Sequence, residues 1–201
     1  MQLELDRRVG EESRKTYNRK VLSGFMKQYL FGKNILEIGY KGYDGTELTI
    51  VPQAVGIDLD YPGYDGVHLP FEDQSQDAIY NSHTLEHIRD VSVTLKEWFR
   101  VLKVGGYLII AVPHYQLYEK KRSLPSRYNG DHKRMYHAGS LLNELHDHLP
   151  FGEWRLRYCQ DNDYEFDYSL PCDVHSVGCY ETECVIQKIQ KPLYIDQMKE
   201  I

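Results

Sequence analysis

The chain has 201 residues, of which 41% are hydrophobic and 27% are charged, a composition typical of a folded domain rather than of a disordered chain. Its 30 acidic and 24 basic residues give a formal net charge of −6, which argues against broad, non-specific binding of nucleic acid. No apolar run approaches the ~18–20 residues of a membrane span, and the first residues lack the apolar core of a signal peptide, so a single cytoplasmic domain over residues 1–201 is expected.

The predicted elements alternate between helices and strands along the chain. A leading helix is predicted over 11–31, because apolar residues recur there at helical spacing: Val21, Leu22, Phe25, Met26, Tyr29 and Leu30. Short apolar runs predict strands at 34–39, 54–60, 77–83, 107–113, 154–160 and 182–189, and helices are predicted at 91–103 and 140–149. This alternation indicates a mostly parallel sheet flanked by helices, whose ligands bind at the carboxyl ends of the strands.

A loop that contains two glycines, Gly39 and Gly42, follows the first predicted strand. Glycine lets the backbone turn tightly and approach a bound ligand closely. The second strand ends in Asp58, whose carboxylate is placed to accept hydrogen bonds from a ribose diol. Taken alone, an ordinary turn explains these glycines equally well.

Four segments together are stronger evidence of fold and function than the loop alone. They read NILEIG at 34–39, AVGIDLD at 54–60, LPFEDQSQDAIYNSHTLEHI at 69–88 and EWFRVLKVGGYLIIAVP at 97–113. In this order and spacing, they resemble class I S-adenosylmethionine-dependent methyltransferases over roughly residues 30–115. The resemblance implies a Rossmann-like α/β fold and S-adenosylmethionine as the cofactor.

The resemblance also implies which residues hold the cofactor. Asp58 would bind the ribose, Asp65 would lie beside the adenine amino group, and the backbone at Asn81 and Ser82 would lie near the methionine end. The full predicted set is Glu37, Gly39, Tyr40, Gly42, Asp58, Leu59, Asp65, Asn81, Ser82 and His83.

The chain departs from the family pattern in two places. Lys41 stands where the family's first motif usually has a second glycine, so it either points into solvent or alters the methionine-end pocket. Only residues 61–66 separate Asp60 from Val67, where the family's third strand would begin, whereas a helical crossover needs at least ~10–12 residues. We therefore expect a reduced crossover between the second and third strands. The leading helix or a second copy of the chain would cover the sheet edge that this leaves exposed, and a homodimer is slightly favoured.

The segment 114–137 has no helical or strand period and is rich in tyrosine, histidine and basic residues. Its part NGDHKRMY at 129–136 resembles a segment that lies over the acceptor site in methyltransferases from bacterial surface-polysaccharide gene clusters. The resemblance implies an acceptor-site lid and a small hydroxylated acceptor, a sugar or a sugar-linked intermediate. His114 and His132 are the predicted proton acceptors, with Asp131 orienting His132, and the predicted acceptor-binding residues are Tyr115, Tyr128, Asn129, Arg134 and Tyr136.

Other functions stay open at this stage. An N-methyltransferase acting on a small amine is the nearest variant, and a non-catalytic methyltransferase-like binding or partner protein is favoured by Lys41 and the short 61–66 link. Hydrogen bonding at a strand-to-helix junction explains His83 and His87 at least as well as catalysis does. The spacing of the four cysteines is not that of a zinc ribbon or finger, so no metal site is expected.

Overall fold

The computed structural model describes residues 3–42 and 45–198. Its strands are β1 (Ile35–Ile38), β2 (Ala54–Ile57), β3 (Gln76–Ser82), β4 (Leu102–Pro113), β5 (Trp154–Asn162) and β6 (Glu181–Lys188). They form one sheet in the order β2-β1-β3-β4-β6-β5. The first four strands are parallel, whereas β6 runs antiparallel to β4, and β5 runs antiparallel to β6.

Helices cover both faces of this sheet. They are α1 (Glu11–Leu22), α2 (Phe25–Tyr29), α3 (Val91–Val101) and α4 (Ala138–His148), with short 3₁₀ turns at Leu85–His87 and Leu193–Gln197. Because side chains alternate between the faces of a strand, Leu36 and Ile38 of β1 pack with α3 and α4, and Ile35 packs with α1 and α2. All four residues of β1 are buried, as expected for a parallel strand covered on both faces. The predicted Rossmann-like α/β fold is confirmed.

The predicted single leading helix over 11–31 is wrong. The helix ends at Leu22, and Gly24 adopts a left-handed conformation with φ +83° before α2 begins. This turn lets Phe25 and Met26 pack into the core, while Leu22, a member of the predicted apolar stripe, is 74% exposed. The buried face of α1 is largely polar, and its Lys20 forms a buried ion pair with Glu183 of β6. A stripe read from spacing alone could not reveal that the chain changes direction at Gly24.

The reduced crossover after the second strand is confirmed. Residues 58–75 contain turns and no helix, and the stretch near Val67 forms no strand either, so β2 is the edge of the sheet. Val55 on this edge is 42% exposed. The helices α1 and α2 pack against β1, β3, β4 and β6 rather than over this exposed edge.

Within the described ranges, no helix combines the length and the apolar character that a bilayer crossing requires.

Candidate functional site

Two adjoining cavities lie at the carboxyl ends of β1, β2 and β3. The larger cavity, about 650 Å³, lies beside the residues that follow β2, and its wall includes Asp58, Leu59, Tyr64, Asp65, Val67, Thr84 and Asp90. The smaller cavity, about 300 Å³, lies between the start of α1 and the segment 114–137, and its wall includes Glu12, Glu37, Tyr40, Ser82, Glu86, Tyr118 and His132. Both cavities share the lining residues Ile38, Gly39, Lys41, His83, His87 and Asn129. A ligand longer than either cavity could therefore extend from one into the other.

Two carboxylates lie in the wall of the larger cavity, where the sequence predicts ribose and adenine contacts. One oxygen of Asp58 accepts a hydrogen bond from the backbone N–H of Leu59 at 2.7 Å, which turns the carboxylate at the end of β2. Asp65 accepts hydrogen bonds from the backbone N–H groups of Val67 and His68 at 2.9 and 2.7 Å, and its other oxygen lies 2.9 Å from His68 Nδ1. The hydrogen bonds from the side chain and backbone of His68 hold the pKa of Asp65 well below its usual range, so this carboxylate is ionised at neutral pH.

Gly39 forms the tight turn between β1 and the two cavities. Its φ is +87°, and its N–H donates to the carbonyl of Ile57 at 2.8 Å. A Cβ built on Gly39 would lie 1.9 Å from Thr84 Oγ1, a distance that no side chain tolerates. Backbone conformation and close packing therefore both require glycine here.

Gly42 has a different role, since it lines neither cavity. A Cβ at this position would lie 2.1 Å from the hydroxyl of Tyr40, whose ring also covers Gly56 of β2. The Tyr40 hydroxyl donates to the carbonyl of Glu47 at 2.8 Å. Packing of Tyr40 thus accounts for Gly42, while Lys41 between them lines both cavities.

Glu37, the last acid of β1 before this turn, lines the smaller cavity and is only 6% exposed. Its Oε2 accepts a hydrogen bond from the backbone N–H of Ile50 at 2.5 Å. Burial nevertheless raises its pKa from 4.5 to about 7, because the hydrogen bond compensates only part of the lost hydration.

This shift predicts a pH-dependent effect of Glu37→Gln. A carboxyl whose pKa is higher in the folded chain than in the unfolded chain binds its proton more tightly when folded, so its contribution to stability falls as the pH rises from about 4.5 through about 7. We expect Glu37→Gln to have the same free energy of unfolding as wild type at pH 4.5. At pH 8 its free energy of unfolding should be up to about 3 kcal/mol higher than that of wild type. Urea unfolding at both pH values measures the difference, and an equal difference at both would contradict the assignment.

A second buried acid, Glu86, lies in the 3₁₀ turn after β3 and is 1% exposed. Neither of its carboxylate oxygens has a hydrogen-bond partner among the described residues. Glu86 Oε1 lies 3.7 Å from His87 Nε2 and 3.9 Å from His132 Nε2. Burial raises the pKa of Glu86 to about 7, although the charge of His83 opposes the shift. We call Glu86, His87 and His132 the imidazole–carboxylate cluster.

His132 is held by a buried carboxylate. Its Nδ1 lies 3.0 Å from Oε1 of Glu119, which is 1% exposed and whose other oxygen accepts from the backbone N–H of Arg127 at 2.9 Å. The Nε2 of His132 consequently faces Glu86 and the smaller cavity. The predicted pairing of Asp131 with His132 is replaced by this contact: the largely exposed Asp131 bonds to Lys133 Nζ at 2.6 Å and lies 3.4 Å from His87 Nδ1.

His83 lies at the junction of the cavities and is paired with a buried carboxylate. Its φ is +51°, which turns the ring back toward β6, where Nε2 lies 3.1 Å from Glu181 Oε1. Burial lowers the pKa of His83, but the hydrogen bond to Glu181 and the charges of Glu181, Glu86 and Glu12 outweigh burial and raise it. Burial alone would raise the pKa of Glu181, and the contacts with His83 and Lys20 bring it to about 2 instead.

The remaining predicted site residues lie outside both cavities. His114 is buried beside Asp161, with Nε2 3.6 Å from its carboxylate, and Tyr115 stacks on it. Asn81 donates to the carbonyl of Ile38 at 3.0 Å. The other three hold neighbouring segments together: Arg134 bonds to the carbonyls of Ile88 and Arg89, Tyr136 donates to Glu144, and Tyr128 donates to the carbonyl of Cys172.

The predicted set lacks several residues of the cavity walls, among them Glu12, Thr84 and Glu86, and it lacks Glu119, which holds His132. Glu86 could have been found from its place in Leu85-Glu86-His87 directly after a strand end. Glu12 and Glu119 carry no signal in the sequence, because α1 and the segment 114–137 reach the smaller cavity only through folding.

Known methyltransferases are similar to this chain in sequence. A family profile described as a methyltransferase domain matches residues 45–110. A Mycolicibacterium smegmatis protein described as a probable S-adenosylmethionine-dependent methyltransferase is 30% identical over 132 residues, which cover 57% of this chain and 50% of that protein. A demethylmenaquinone methyltransferase of Thermobifida fusca is 51% identical over 43 residues, 21% of this chain and 18% of that protein. The chain thus spans half or less of the length of these curated relatives.

Solved structures share the fold at low sequence identity. A methyltransferase dependent on S-adenosylmethionine from Aquifex aeolicus superposes with a TM-score of 0.55 at 15% identity, covering 90% of this chain and 94% of that one. Another from Methanosarcina mazei gives a TM-score of 0.56 at 18% identity, covering 82% of this chain and 97% of that one. At such identities, these likenesses establish the fold.

Proposed function

We propose that this chain, which belongs to the class I S-adenosylmethionine-dependent methyltransferases, binds S-adenosylmethionine and transfers its methyl group to a small acceptor. The observation that carries the proposal is the pair of adjoining cavities at the strand ends, which meet at Gly39 and His83. One cavity presents two carboxylates, Asp58 and Asp65, and the other presents the imidazole–carboxylate cluster.

The larger cavity suits the adenosine part of the cofactor. The Asp58 carboxylate would accept hydrogen bonds from the ribose hydroxyls, and Asp65 would lie near the adenine amino group. The turn at Gly39 lets the backbone approach the methionine part, which would extend toward Glu37 and Lys41. The sulfonium carbon would then lie near the junction, facing the smaller cavity.

The smaller cavity would hold the acceptor. Tyr118, Asn129 and His132 of the segment 114–137 reach its wall, which supports a lid role for that segment. The volume of about 300 Å³ suits a small molecule such as a monosaccharide unit. We propose a hydroxylated acceptor, a sugar or a sugar-linked intermediate, methylated on oxygen.

Methyl transfer from a sulfonium is an in-line displacement, so much of the rate enhancement comes from holding donor and acceptor in line. A hydroxyl acceptor must also lose its proton as the new bond forms. His132 is placed to activate that hydroxyl, because Glu119 fixes its ring and its Nε2 faces the smaller cavity. A small amine is the second candidate acceptor, favoured by the buried acids Glu37 and Glu86, which would attract an ammonium group.

Two measurements test this function. Thermal unfolding should shift upward with S-adenosylmethionine and with S-adenosylhomocysteine, because a ligand that binds only the folded state stabilises it. Radiolabelled methyl transfer to a panel of sugars, nucleotide-linked sugars and small amines then identifies the acceptor. No shift at millimolar ligand would refute the enzyme assignment, and a shift without transfer to any acceptor class would favour the non-catalytic binding protein.

Removal of the Asp58 carboxylate should weaken cofactor binding. Asp58→Ala removes charged hydrogen bonds that contribute roughly 1.5–3 kcal/mol each, so the affinity for S-adenosylhomocysteine should fall at least ~10-fold. Calorimetry measures the affinity. Asp60→Ala, an exposed acid two residues further along, serves as the matched control and should bind like wild type. Equal affinities in wild type and Asp58→Ala would leave Asp58 as a strand-end residue only.

The uncovered edge at β2 supports the homodimer as a proposal. Light scattering of the wild-type protein at micromolar concentration should give twice the mass of one chain. The variant Val55→Lys, which places a charge on the exposed edge, should give the mass of a single chain. A wild-type chain that scatters as a monomer would contradict the dimer.

A further inference from the structure

The imidazole–carboxylate cluster has the composition of a metal site. Glu86, His87 and His132 each offer one ligand atom, and these three atoms lie within 4.8 Å of one another. Ligand atoms of a tetrahedral zinc ion, bound at about 2.0–2.1 Å, lie about 3.4 Å apart. The observed 3.7 and 3.9 Å separations from Glu86 Oε1 need only a small contraction to reach that spacing.

An independent observation points to a missing partner. Glu86 is almost fully buried, lines the smaller cavity, and has no hydrogen bond to either carboxylate oxygen within the described part of the chain. A buried carboxylate without hydrogen bonds is costly, and proteins ordinarily pair such a group or use it as a metal ligand.

The surroundings of the His132 imidazole match those of a metal-bound histidine. Such a histidine usually gives its second ring nitrogen to a carboxylate, which fixes the ring and its tautomer. His132 does this with Glu119 at 3.0 Å. His87 Nδ1 lies 3.4 Å from the Asp131 carboxylate but makes no hydrogen bond among the described residues. Both outer carboxylates add negative charge around the cluster. Asp131, predicted as an orienting residue for His132, would take that part for His87.

We infer that Glu86, His87 and His132 bind one divalent transition-metal ion, with zinc or manganese as the suitable class, at the wall of the smaller cavity. Two imidazoles and one carboxylate leave coordination positions open for a ligand in that cavity. Magnesium is disfavoured, since it prefers oxygen ligands only. The sequence expectation of no metal site rested on the cysteines, none of which belongs to this cluster.

The role of the ion rests on the proposed function. Bound beside the acceptor, it would hold a hydroxyl oxygen and lower the pKa of that hydroxyl, as metal ions do for bound water. His132 would then activate the acceptor as a ligand of the ion, and the proton of the hydroxyl would pass to water or to Glu12 in the wall of the same cavity. An acceptor with two adjacent hydroxyls, as in a sugar, could occupy both open positions.

The test measures metal binding directly. Chelator-treated, full-length protein is titrated with Zn²⁺ and, separately, with Mn²⁺ in competition with a chromogenic chelator, and Mg²⁺ serves as the comparison ion. We expect one equivalent per chain in wild type. The affinity for the ion should fall by more than about 100-fold in each of the variants Glu86→Gln, His87→Ala and His132→Ala. It should fall by about 10–100-fold in Glu119→Gln, the usual effect of weakening a carboxylate that holds a metal-bound histidine.

Controls separate a built site from adventitious binding. His146→Gln changes an exposed histidine on α4 outside both cavities, and it should bind the ion like wild type. Glu86→Gln is isosteric and removes no hydrogen bond, so its unfolding in the absence of metal verifies that the fold persists. Failure of wild type to bind either ion, or binding by the three cluster variants that equals wild type, would overturn the inference.

A separate measurement tests the proposed function independently of the metal site. Calorimetry with S-adenosylhomocysteine on metal-free protein should show binding, because no predicted cofactor contact involves the ion. Cofactor binding without metal binding would overturn the metal site alone, whereas metal binding without cofactor binding would overturn the proposed function alone.

Discussion

Gly39→Ala is expected to reduce the affinity for S-adenosylhomocysteine by at least ~100-fold, the equivalent of about 3 kcal/mol. The added Cβ would lie 1.9 Å from Thr84 Oγ1, and an alanine at φ +87° is strained even without that clash. Relief of both requires the turn after β1 to move, and this turn lies at the junction of the two cavities. Isothermal calorimetry measures the affinity, and urea unfolding of the ligand-free variant measures the accompanying loss of stability.

Gly105→Ala is the matched control for this substitution. Gly105 also has a left-handed φ, +91°, but a Cβ there meets no atom within 4 Å and lies near the amino end of β4, away from the cavities. It should lose stability through backbone strain and keep its cofactor affinity. If Gly39→Ala were destabilised like Gly105→Ala but bound the ligand like wild type, the turn at Gly39 would have no part in cofactor binding.

His132→Ala is expected to lower kcat by about 10²–10⁴-fold, the range that activation of an acceptor hydroxyl contributes. The substitution removes the imidazole whose Nε2 faces the smaller cavity, while the residues that line the larger cavity alone stay in place. The affinity for S-adenosylhomocysteine should therefore change little. The measurement is methyl transfer to the acceptor that the panel identifies, with kcat separated from KM.

Two variants show whether this loss is specific. His146→Gln should keep full activity, since it lies outside both cavities. The kcat of Glu119→Gln should lie between those of His132→Ala and wild type, because the substitution keeps the His132 imidazole but weakens the group that fixes its ring. A His132→Ala variant that is folded and as active as wild type would exclude His132 from the reaction.

The sequence predicted the architecture well, because strand formation depends on local patterns. The apolar runs at 34–39, 54–60 and 77–83 became β1, β2 and β3 with bounds shifted by three residues at most. The short 61–66 link likewise predicted the missing helix. Because no strand forms near Val67, residues 58–75 connect β2 to β3, and the length of this link does not by itself exclude a helix. The leading helix failed at Gly24, where a left-handed turn redirects the chain toward the core.

The predictions for the candidate site also differ according to whether they depended on local patterns or on tertiary packing. The turn at Gly39 and Asp58 could be predicted because the ends of parallel strands always meet at one edge of the sheet, whereas the prediction of Asp65 depended on the family resemblance. The predicted roles of His114, Arg134 and Tyr136 depended on where the segment 114–137 lies, and these residues fold away from both cavities.

By itself, the sequence determined the strands, the sharp turn after β1 and the acids that follow the strands, all of which depend on neighbouring residues and on the fixed geometry of a parallel sheet. Only the tertiary structure decided that Glu119 holds His132, that Glu12 of α1 reaches the smaller cavity, and that the buried Glu86 carboxylate makes no hydrogen bond with any residue the structure describes. These contacts join parts of the chain that meet only when the core is packed. Their geometry follows from the burial of both sheet faces, which no local pattern in the sequence records.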